Sequence, residues 1–247
     1  MLDGIKQAYH QRRKMAKFKA EFRAFRESER STESRFRLSE DDFYPCLDDQ
    51  TQETGFDRHY VYHVAWAVRI VKEINPAFHT DISSSLYFCS TLSAFIPVRF
   101  YDYRPAKLEL NNLSSAACDL QKLEFADNSI DSLSCLHTVE HVGLGRYGDP
   151  LDYDGDLKAI AELKRVVKPG GSLLFVTPVG KARIVYNAHR IYSYDQIIRY
   201  FDGFVLKEFS LVPDSAADGG LIRNASKELT DKQNYGCGCF WFEKLSR

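Results

Sequence analysis

Three aspartates stand where short apolar segments come to an end. Asp81 lies in FHTDI, Asp102 ends VRFYD, and Asp119 ends AACD. Ligands of parallel α/β sheets bind beyond the carboxyl ends of the strands, and an acid there can accept hydrogen bonds from both hydroxyls of a ribose. The pattern therefore predicts a nucleotide-like ligand at Asp102. The alternative is that Asp102 only starts the turn before Pro105.

Histidines follow two later apolar segments. His137 and His141 come after SLSCL, and His189 lies beside Arg190 in NAHRIY, after LLFVTPV. Histidine is the natural base near neutral pH, so His141 and His189 are the predicted catalytic residues. Arg190 can clamp a carboxylate or phosphate of a substrate. The alternatives are that His141 braces the sheet and that His189 belongs to a polar loop that caps the next helix.

The segment GLGRYGDPLDYDGD follows the first of these histidine groups. Arg146 and Tyr147 could clamp or stack on a substrate, and both are predicted substrate-binding residues. The acidic run 149–156 could hold a divalent metal such as magnesium. The favoured interpretation is a turn with Asp156 capping a helix, so no metal ligand is predicted.

The six cysteines show no zinc or redox spacing, because no CxxC pair occurs. They indicate reduced thiols in a cytoplasmic protein. No segment reaches the roughly 18 apolar residues of a membrane span, and the basic start of the chain lacks the apolar core of a signal peptide. A net charge of −1 gives no indication of nucleic-acid binding.

The apolar segments alternate with stretches of helical periodicity, which is typical of a parallel sheet covered by helices. The predicted strands are 78–82, 98–102, 116–120, 132–137, 172–179, 204–212 and 238–245, and the predicted helices are 61–74, 86–95, 156–167 and 193–201. No convincing helix separates the last two strands, so they are predicted to be antiparallel. The sequence thus predicts an α/β fold with seven strands, mostly parallel, and an antiparallel last strand.

Residues 1–42 form a separate predicted region, followed by an α/β domain over 43–247. Residues 1–26 contain eight Lys or Arg and two acidic residues. Met15, Phe18, Phe22 and Phe25 fall on one helical stripe. The pattern predicts a basic amphipathic helix and a polar linker over 28–42. Packing on its own domain, homodimerisation and peripheral membrane contact through residues 1–27 all remain open.

The stretch from Asp119 to Pro178 resembles class I S-adenosylmethionine-dependent methyltransferases. Three parts carry the likeness, namely DLQKLEFADNSIDSL, CLHTVEHV and LKRVVKPGGSLLFV. Pro169 stops a helix and the following glycines supply the tight turn before a buried strand. The resemblance implies a Rossmann-like fold and S-adenosyl-L-methionine as the cofactor.

The resemblance also implies how this cofactor is held. Asp119 and Leu120 would meet the adenine, with His137 beside them, and Asp81 would precede the loop at the methionine moiety. That loop is glycine-rich in the family, whereas here it reads ISSS. Ser83 and Ser84 can still offer amides and hydroxyls to a carboxylate.

Residues 43–212 are also similar to a narrower, uncharacterised family of methyltransferase-like proteins from bacteria and nematodes, through DIS-SSLYF, YDYRP, HTVEHVGLGRYGDPLDYDGD and NAHRIYS. This likeness implies a link to surface-polysaccharide genes. The expected activity is methyl transfer to a small-molecule or glycan acceptor, at a sugar hydroxyl. The serine loop leaves open a non-catalytic scaffold or partner subunit. A nicotinamide-dependent oxidoreductase is disfavoured because no G-x-G-x-x-G follows a strand.

Overall fold

The computed structural model describes residues 2–28 and 36–246. The chain divides into two compact units, Met1–Phe56 and Asp57–Arg247. Residues 29–35 of the predicted linker lie outside the described residues. Among the helices that the structure describes, none has the length and apolar character needed to cross a membrane.

The first unit contains the predicted N-terminal helix, α1 (Leu2–Glu27). Phe18 and Phe22 from its apolar stripe contact the edge of the Phe43 ring, at centroid distances of 5.0 and 4.7 Å. Phe25, the last member of the stripe, remains 67 % exposed. Part of the stripe therefore packs on the chain that follows it, while dimerisation and membrane contact stay predictions.

The second unit contains the remaining regular elements, apart from a short 3₁₀ helix at Glu40–Asp42. Its helices are α2 (Arg58–Ile74), α3 (Leu86–Ser93), α4 (Gly155–Val166), α5 (Tyr194–Tyr200) and α6 (Lys227–Asp231), with 3₁₀ turns at Val139–His141 and Ala216–Asp218. Its strands are β1 (His79–Ile82), β2 (Val98–Asp102), β3 (Leu113–Ala117), β4 (Ile130–Leu136), β5 (Val167–Val179), β6 (Arg183–Val185), β7 (His189–Ile191), β8 (Phe204–Val212), β9 (Ile222–Arg223) and β10 (Gly236–Lys244).

The main sheet has the strand order β3-β2-β1-β4-β5-β10-β8-β9. The first five strands are parallel to one another. β10 inserts antiparallel between β5 and β8. The predicted α/β fold with an antiparallel last strand is confirmed, and the short β9 adds an edge strand that the sequence pattern did not predict.

The sheet is buried on both faces by separate hydrophobic clusters. One cluster includes Ile160 and Leu163 from α4 and Phe201, which directly follows α5. The other includes Trp66 and Phe88 from α2 and α3. Because both faces are covered, every residue of β1 and all residues of β5 from Gly171 to Val179 are buried.

Two local differences from the predicted elements affect the candidate site. The third strand ends at Ala117 rather than at residue 120, because Asp119 accepts a hydrogen bond from the Gln121 amide (2.8 Å) and closes a turn. The segment around NAHRIY is a hairpin of β6 and β7 rather than a loop, closed by a hydrogen bond from the Ala188 amide to the Val185 carbonyl (2.7 Å).

Candidate active site

A cavity of about 420 Å³ opens at the carboxyl ends of β1, β2 and β4. It is lined by residues 83–85, 102–104, 118–121 and 136–138, together with His141 and others from the loop that follows. β1 and β4 are neighbours, but the chain leaves β1 towards β2 and leaves β4 towards β5. The cavity therefore lies at the topological switch point, where open α/β sheets bind their ligands.

Ser83 occupies the position in the first loop where glycine is expected. Its φ of 59° lies in the left-handed region, which is uncommon for a residue with a side chain. Its amide donates to the Tyr101 carbonyl (2.7 Å), and its own carbonyl accepts from the Thr138 hydroxyl (2.8 Å). The serine thus keeps the conformation of a glycine turn because the turn is tied to both neighbouring strands.

The other two serines of the turn also make specific hydrogen bonds. The Ser84 hydroxyl accepts from the amide of Leu136 (2.9 Å), at the end of β4. The Ser85 hydroxyl accepts from the amide of Phe88 (3.3 Å) and caps the N-terminus of α3. This capping satisfies one of the unpaired amides at the helix start, and the turn is ordered without glycine.

Asp81 lies beneath this turn and does not line the cavity. It is completely buried, and it accepts hydrogen bonds from the Ser84 amide (3.0 Å), from the Cys89 thiol (3.4 Å) and from the Ser134 hydroxyl. Burial raises the pKa of Asp81 from its ordinary value of 3.8 to about 6. Asp81 is predicted to bind the cofactor, and the structure places it as the support of the turn.

A buried histidine extends the network below Asp81. The two ring nitrogens of His79 lie 2.7 Å from the Ser132 hydroxyl and 2.8 Å from the Ser134 hydroxyl. Burial lowers the pKa of His79 to about 3, so its imidazole is neutral. Since Ser134 donates to Asp81, it accepts from His79, which fixes the tautomer. Sequence reasoning missed His79 because its partners lie in β4.

The other two predicted acids line the cavity. One oxygen of Asp102 accepts from the Arg104 amide (2.7 Å), and one oxygen of Asp119 accepts from the Gln121 amide (2.8 Å). The second oxygen of each carboxylate makes no hydrogen bond within the part of the chain that the structure describes. Leu120 is buried beside Asp119 in the lining.

His141 lies at the cavity in a defined tautomer. Its Nδ1 is 2.6 Å from the carbonyl oxygen of Ala188, to which it must donate. Its Nε2 therefore carries a lone pair, 3.8 Å from a carboxylate oxygen of Glu140. Burial lowers the pKa of His141 below its ordinary value. The imidazole is consequently neutral at pH 7 and able to accept a proton.

Tyr147 also lines the cavity, next to His141. The two rings meet edge to face with centroids 5.5 Å apart. The guanidinium groups of Arg104 and Arg146 lie 4.8 and 5.1 Å from the Tyr147 ring centre. Arg146 itself does not line the cavity and donates to the Ala188 carbonyl (3.0 Å). The result is an aromatic surface flanked by two cations.

His189 and Arg190 lie on β7, outside the main cavity. The His189 ring is 6.5 Å from the His141 ring and 4.7 Å from the Tyr235 ring. Arg190 is only 5 % exposed, and its guanidinium donates to the carbonyls of Val142 (2.7 Å) and Tyr153 (3.0 Å). Arg190, which the sequence predicts to bind a substrate, therefore holds the loop between β4 and α4 through these hydrogen bonds.

The structure does not place Asp156 at the N-terminal cap of a helix, as the sequence predicted. Asp154 is the residue before α4 and makes no side-chain cap, whereas Asp156 lies inside the helix and accepts from the Tyr192 hydroxyl (2.8 Å). The capping prediction for Asp156 is wrong, because α4 begins at Gly155 and the residue before the helix is Asp154. Asp149 folds back to accept from the Gly143 amide (2.7 Å) and closes the loop.

Several cavity residues were missed at the level of sequence. Tyr60 comes from α2, which precedes the first strand, and no motif marks it. Tyr103 and Arg104 lie in YDYRP, a segment in which only Asp102 is predicted to bind a ligand. Their place directly after a strand-end acid was the signal that could have found them.

Comparison with known proteins places the chain in a family. Residues 107–235, just over half of the chain, match the family described as Caenorhabditis protein of unknown function, DUF268. The chain belongs to this family. The nematode resemblance expected from the sequence is thereby confirmed. No curated protein matches the chain.

Solved structures, two of them of methyltransferases, share the fold at low sequence identity. The chain is similar to the protein YcgJ from Bacillus subtilis, with 15 % identity, a TM-score of 0.53, and coverage of 76 % of this chain and 100 % of that one. It is similar to the 1,6-didemethyltoxoflavin-N1-methyltransferase of Burkholderia thailandensis, solved with S-adenosylhomocysteine (12 % identity, TM-score 0.53, coverage 74 % and 79 %). It is also similar to the N-methyltransferase NodS of Bradyrhizobium japonicum, again solved with S-adenosylhomocysteine (13 % identity, TM-score 0.53, coverage 81 % and 93 %). The class I methyltransferase fold predicted from the sequence is confirmed.

The raised pKa of Asp81 gives a testable pH dependence. A carboxyl whose pKa is higher in the folded state stabilises the fold fully at low pH and loses that contribution as pH rises through the folded pKa. A shift from 3.8 to about 6 corresponds to about 3 kcal/mol. Between pH 4 and 7 the wild type should lose about 2 kcal/mol of this free energy of unfolding relative to Asp81→Asn, measured by urea denaturation. The exposed Asp49→Asn is the control, and parallel wild-type and Asp81→Asn curves would refute the shift.

The left-handed conformation of Ser83 predicts a contrast between two substitutions. Ser83→Gly should change the free energy of unfolding by less than about 1 kcal/mol, because glycine adopts this conformation freely. Ser83→Val should cost about 2 kcal/mol or more, since a β-branched residue is strongly disfavoured there. Urea denaturation measures both variants, and equal stability of the two would contradict the assigned turn.

Proposed function

We propose that this chain is an S-adenosylmethionine-dependent methyltransferase that transfers a methyl group to an oxygen of a small-molecule or glycan acceptor. The observation that carries the proposal is the cavity at the switch point of the sheet. One wall consists of an ordered turn before α3, and the others contain Asp102 and Asp119, each with a carboxylate oxygen that makes no hydrogen bond to the described residues.

The cavity suits this cofactor in volume and in chemistry. Its volume of about 420 Å³ falls within the roughly 300–1,000 Å³ of small-molecule sites. The Asp102 carboxylate can accept from ribose hydroxyls, and the buried Leu120 offers an apolar contact to a base beside Asp119. The amides of Ser83 and Ser84 are already bonded to Tyr101 and Asp81, so the amides at the N-terminus of α3, directly after this turn, are the ones that suit a carboxylate. His137 also lines the cavity.

The protein's own contribution to the reaction centres on His141. The cofactor supplies an electrophilic methyl group on a sulfonium. His141 Nε2 accepts the proton of the acceptor hydroxyl, while the Nδ1 hydrogen bond to Ala188 keeps that nitrogen free (2.6 Å). A positioned base contributes roughly 10²–10⁴-fold to the rate, and alignment of the acceptor oxygen lowers the barrier further.

The acceptor is proposed to be a sugar hydroxyl of a surface polysaccharide or its precursor. Tyr147 lies beside His141 in the lining of the cavity, where its aromatic side chain can contact a sugar. The guanidinium groups of Arg104 and Arg146 lie 4.8 and 5.1 Å from the centre of the Tyr147 ring, and their positive charge favours an acceptor that carries a phosphate or carboxylate. The polysaccharide context rests on the family resemblance read from the sequence.

Cofactor binding is tested with S-adenosylhomocysteine, the demethylated product. At a concentration about a hundredfold above Kd, the ligand should raise the melting temperature by roughly 5–10 °C. Asp102→Ala should weaken binding tenfold or more in calorimetry, whereas Glu109→Ala, at an exposed position nearby, should not. Absence of binding at millimolar ligand would favour a scaffold, and unchanged affinity of Asp102→Ala would remove this residue from the ribose site.

The role of His141 is tested by comparing two histidine variants. His141→Gln should lower kcat by roughly 10²–10⁴-fold while leaving the affinity for S-adenosylhomocysteine within threefold. His189→Gln should lower kcat far less, because its ring lies outside the cavity. The assay follows transfer of a labelled methyl group to acceptors found by screening sugar nucleotides and oligosaccharides. A His141→Gln enzyme with wild-type kcat would exclude His141 as the base.

A further inference from the structure

A cluster of histidine and cysteine side chains lies beside the cavity, in the interior of the second unit. We call it the histidine cluster; it consists of His59, His63, His137 and Cys237. One ring nitrogen of His59, one of His137 and the sulfur of Cys237 all lie within 4.8 Å of one another. His137 and Cys237 are buried, and His59 is half-buried. None of the functions discussed above uses His59, His63 or Cys237.

The fold brings these residues together from three distant segments. His59 and His63 lie on α2, whose N-terminus is capped by Asp57 through the amide of Tyr60 (3.1 Å). His137 directly follows β4, and Cys237 lies at the start of β10. Since β10 runs antiparallel to β5 and β4 runs parallel to it, the end of β4 and the start of β10 meet at the same edge of the sheet.

His137 is held in the orientation of a metal ligand. Its Nδ1 lies 2.7 Å from a carboxylate oxygen of the completely buried Glu140. With the shared proton on that side, Nε2 presents a lone pair. Nε2 is buried and has no hydrogen-bond partner. Metal-binding histidines almost always use their second nitrogen in this way, bonded to a carboxylate or carbonyl.

Unsatisfied polar atoms are concentrated at this point of the molecule. Among the described residues, seven buried side-chain nitrogen or oxygen atoms lack a partner, and four of them belong to His63, His137 and Glu140. Such atoms are rare in folded proteins, and an ion is one of their ordinary explanations; of these four atoms, a metal ion would engage Nε2 of His137 directly. Stacking of the His59 and His137 rings (centroids 5.1 Å apart) contributes packing, but it gives these atoms no partner.

We propose that His59, His137 and Cys237 bind a zinc ion. Imidazole nitrogens and a thiolate are the ligands that zinc prefers. In a tetrahedral zinc site the ligand atoms stand about 3.3–3.6 Å apart, so binding draws the three side chains inward by about 1 Å. Three protein ligands leave a fourth position for water or for a further group. Cys237 binds as the thiolate and releases its proton to solvent, and the buried Glu140 carboxylate helps to balance the charge of the ion.

The inference is independent of methyl transfer and is tested with metal alone. The untagged protein, purified without chelator, should contain about one zinc ion per chain when measured by inductively coupled plasma mass spectrometry. Replacement by Co²⁺ should produce a thiolate-to-cobalt charge-transfer band in the near ultraviolet. Wild-type protein with neither zinc nor a Co²⁺ band would overturn the proposal.

Substitutions decide which residues hold the ion. Cys237→Ser should abolish the charge-transfer band, and Glu140→Gln should weaken Co²⁺ binding roughly 10–100-fold. Cys239→Ser is the matched control, because it is buried on the same strand with its sulfur 3.9 Å from that of Cys237, and it should keep the band. Loss of the band in Cys239→Ser with retention in Cys237→Ser would contradict the assignment.

A further variant keeps the test decisive if Cys237→Ser fails to fold. His59 is half-buried and lies at the first turn of α2, so His59→Gln should retain the native far-ultraviolet circular dichroism. It should nevertheless bind Co²⁺ at least tenfold more weakly than the wild type. Native structure together with unchanged Co²⁺ affinity in His59→Gln would overturn the three-ligand site.

Discussion

The hydrogen bonds that the buried carboxylate of Asp81 accepts are the constraint on which the candidate site depends. They fix the Ser84 amide from below and join β1 to β4 through Ser134. A charge in this position is costly to bury, and the raised pKa of Asp81 is the consequence. In exchange, the turn at Ser83–Ser85 is held rigid without glycine, and the cavity above it keeps its shape.

The end of β4 contributes residues both to the cavity and to the histidine cluster. The Leu136 amide donates a hydrogen bond to the hydroxyl of Ser84 in the serine turn. His137 follows in a left-handed conformation with φ of 57°. This sharp change of direction places His137 both in the lining of the cavity and in the histidine cluster, and the chain continues to Glu140 and His141. A single strand end therefore positions the serine turn at the cavity, the proposed base and one of the proposed zinc ligands. Strained backbone of this kind is typical of functional sites.

Local sequence patterns predicted the parts of the site that depend on local geometry. Asp102 and Asp119 could be found because each follows an apolar strand, and Tyr147 because it lies in a glycine-flanked loop after such a strand. The contacts of Arg190 could not be predicted, since its carbonyl partners at Val142 and Tyr153 lie in another segment. The histidine cluster left no spacing motif, because α2, β4 and β10 meet only in the folded sheet. Contacts between distant segments are what the sequence pattern does not contain.

The central claim is that the cavity at the carboxyl ends of β1, β2 and β4 is a cofactor site. A crystal structure of the protein with S-adenosylhomocysteine tests it most directly. The account predicts ribose hydroxyls within hydrogen-bonding distance of the Asp102 carboxylate, the adenine against Leu120 and Asp119, and the amino-acid end at the turn of Ser83–Ser85. Density for the ligand at another place, with Asp102 unchanged and unliganded, would contradict it.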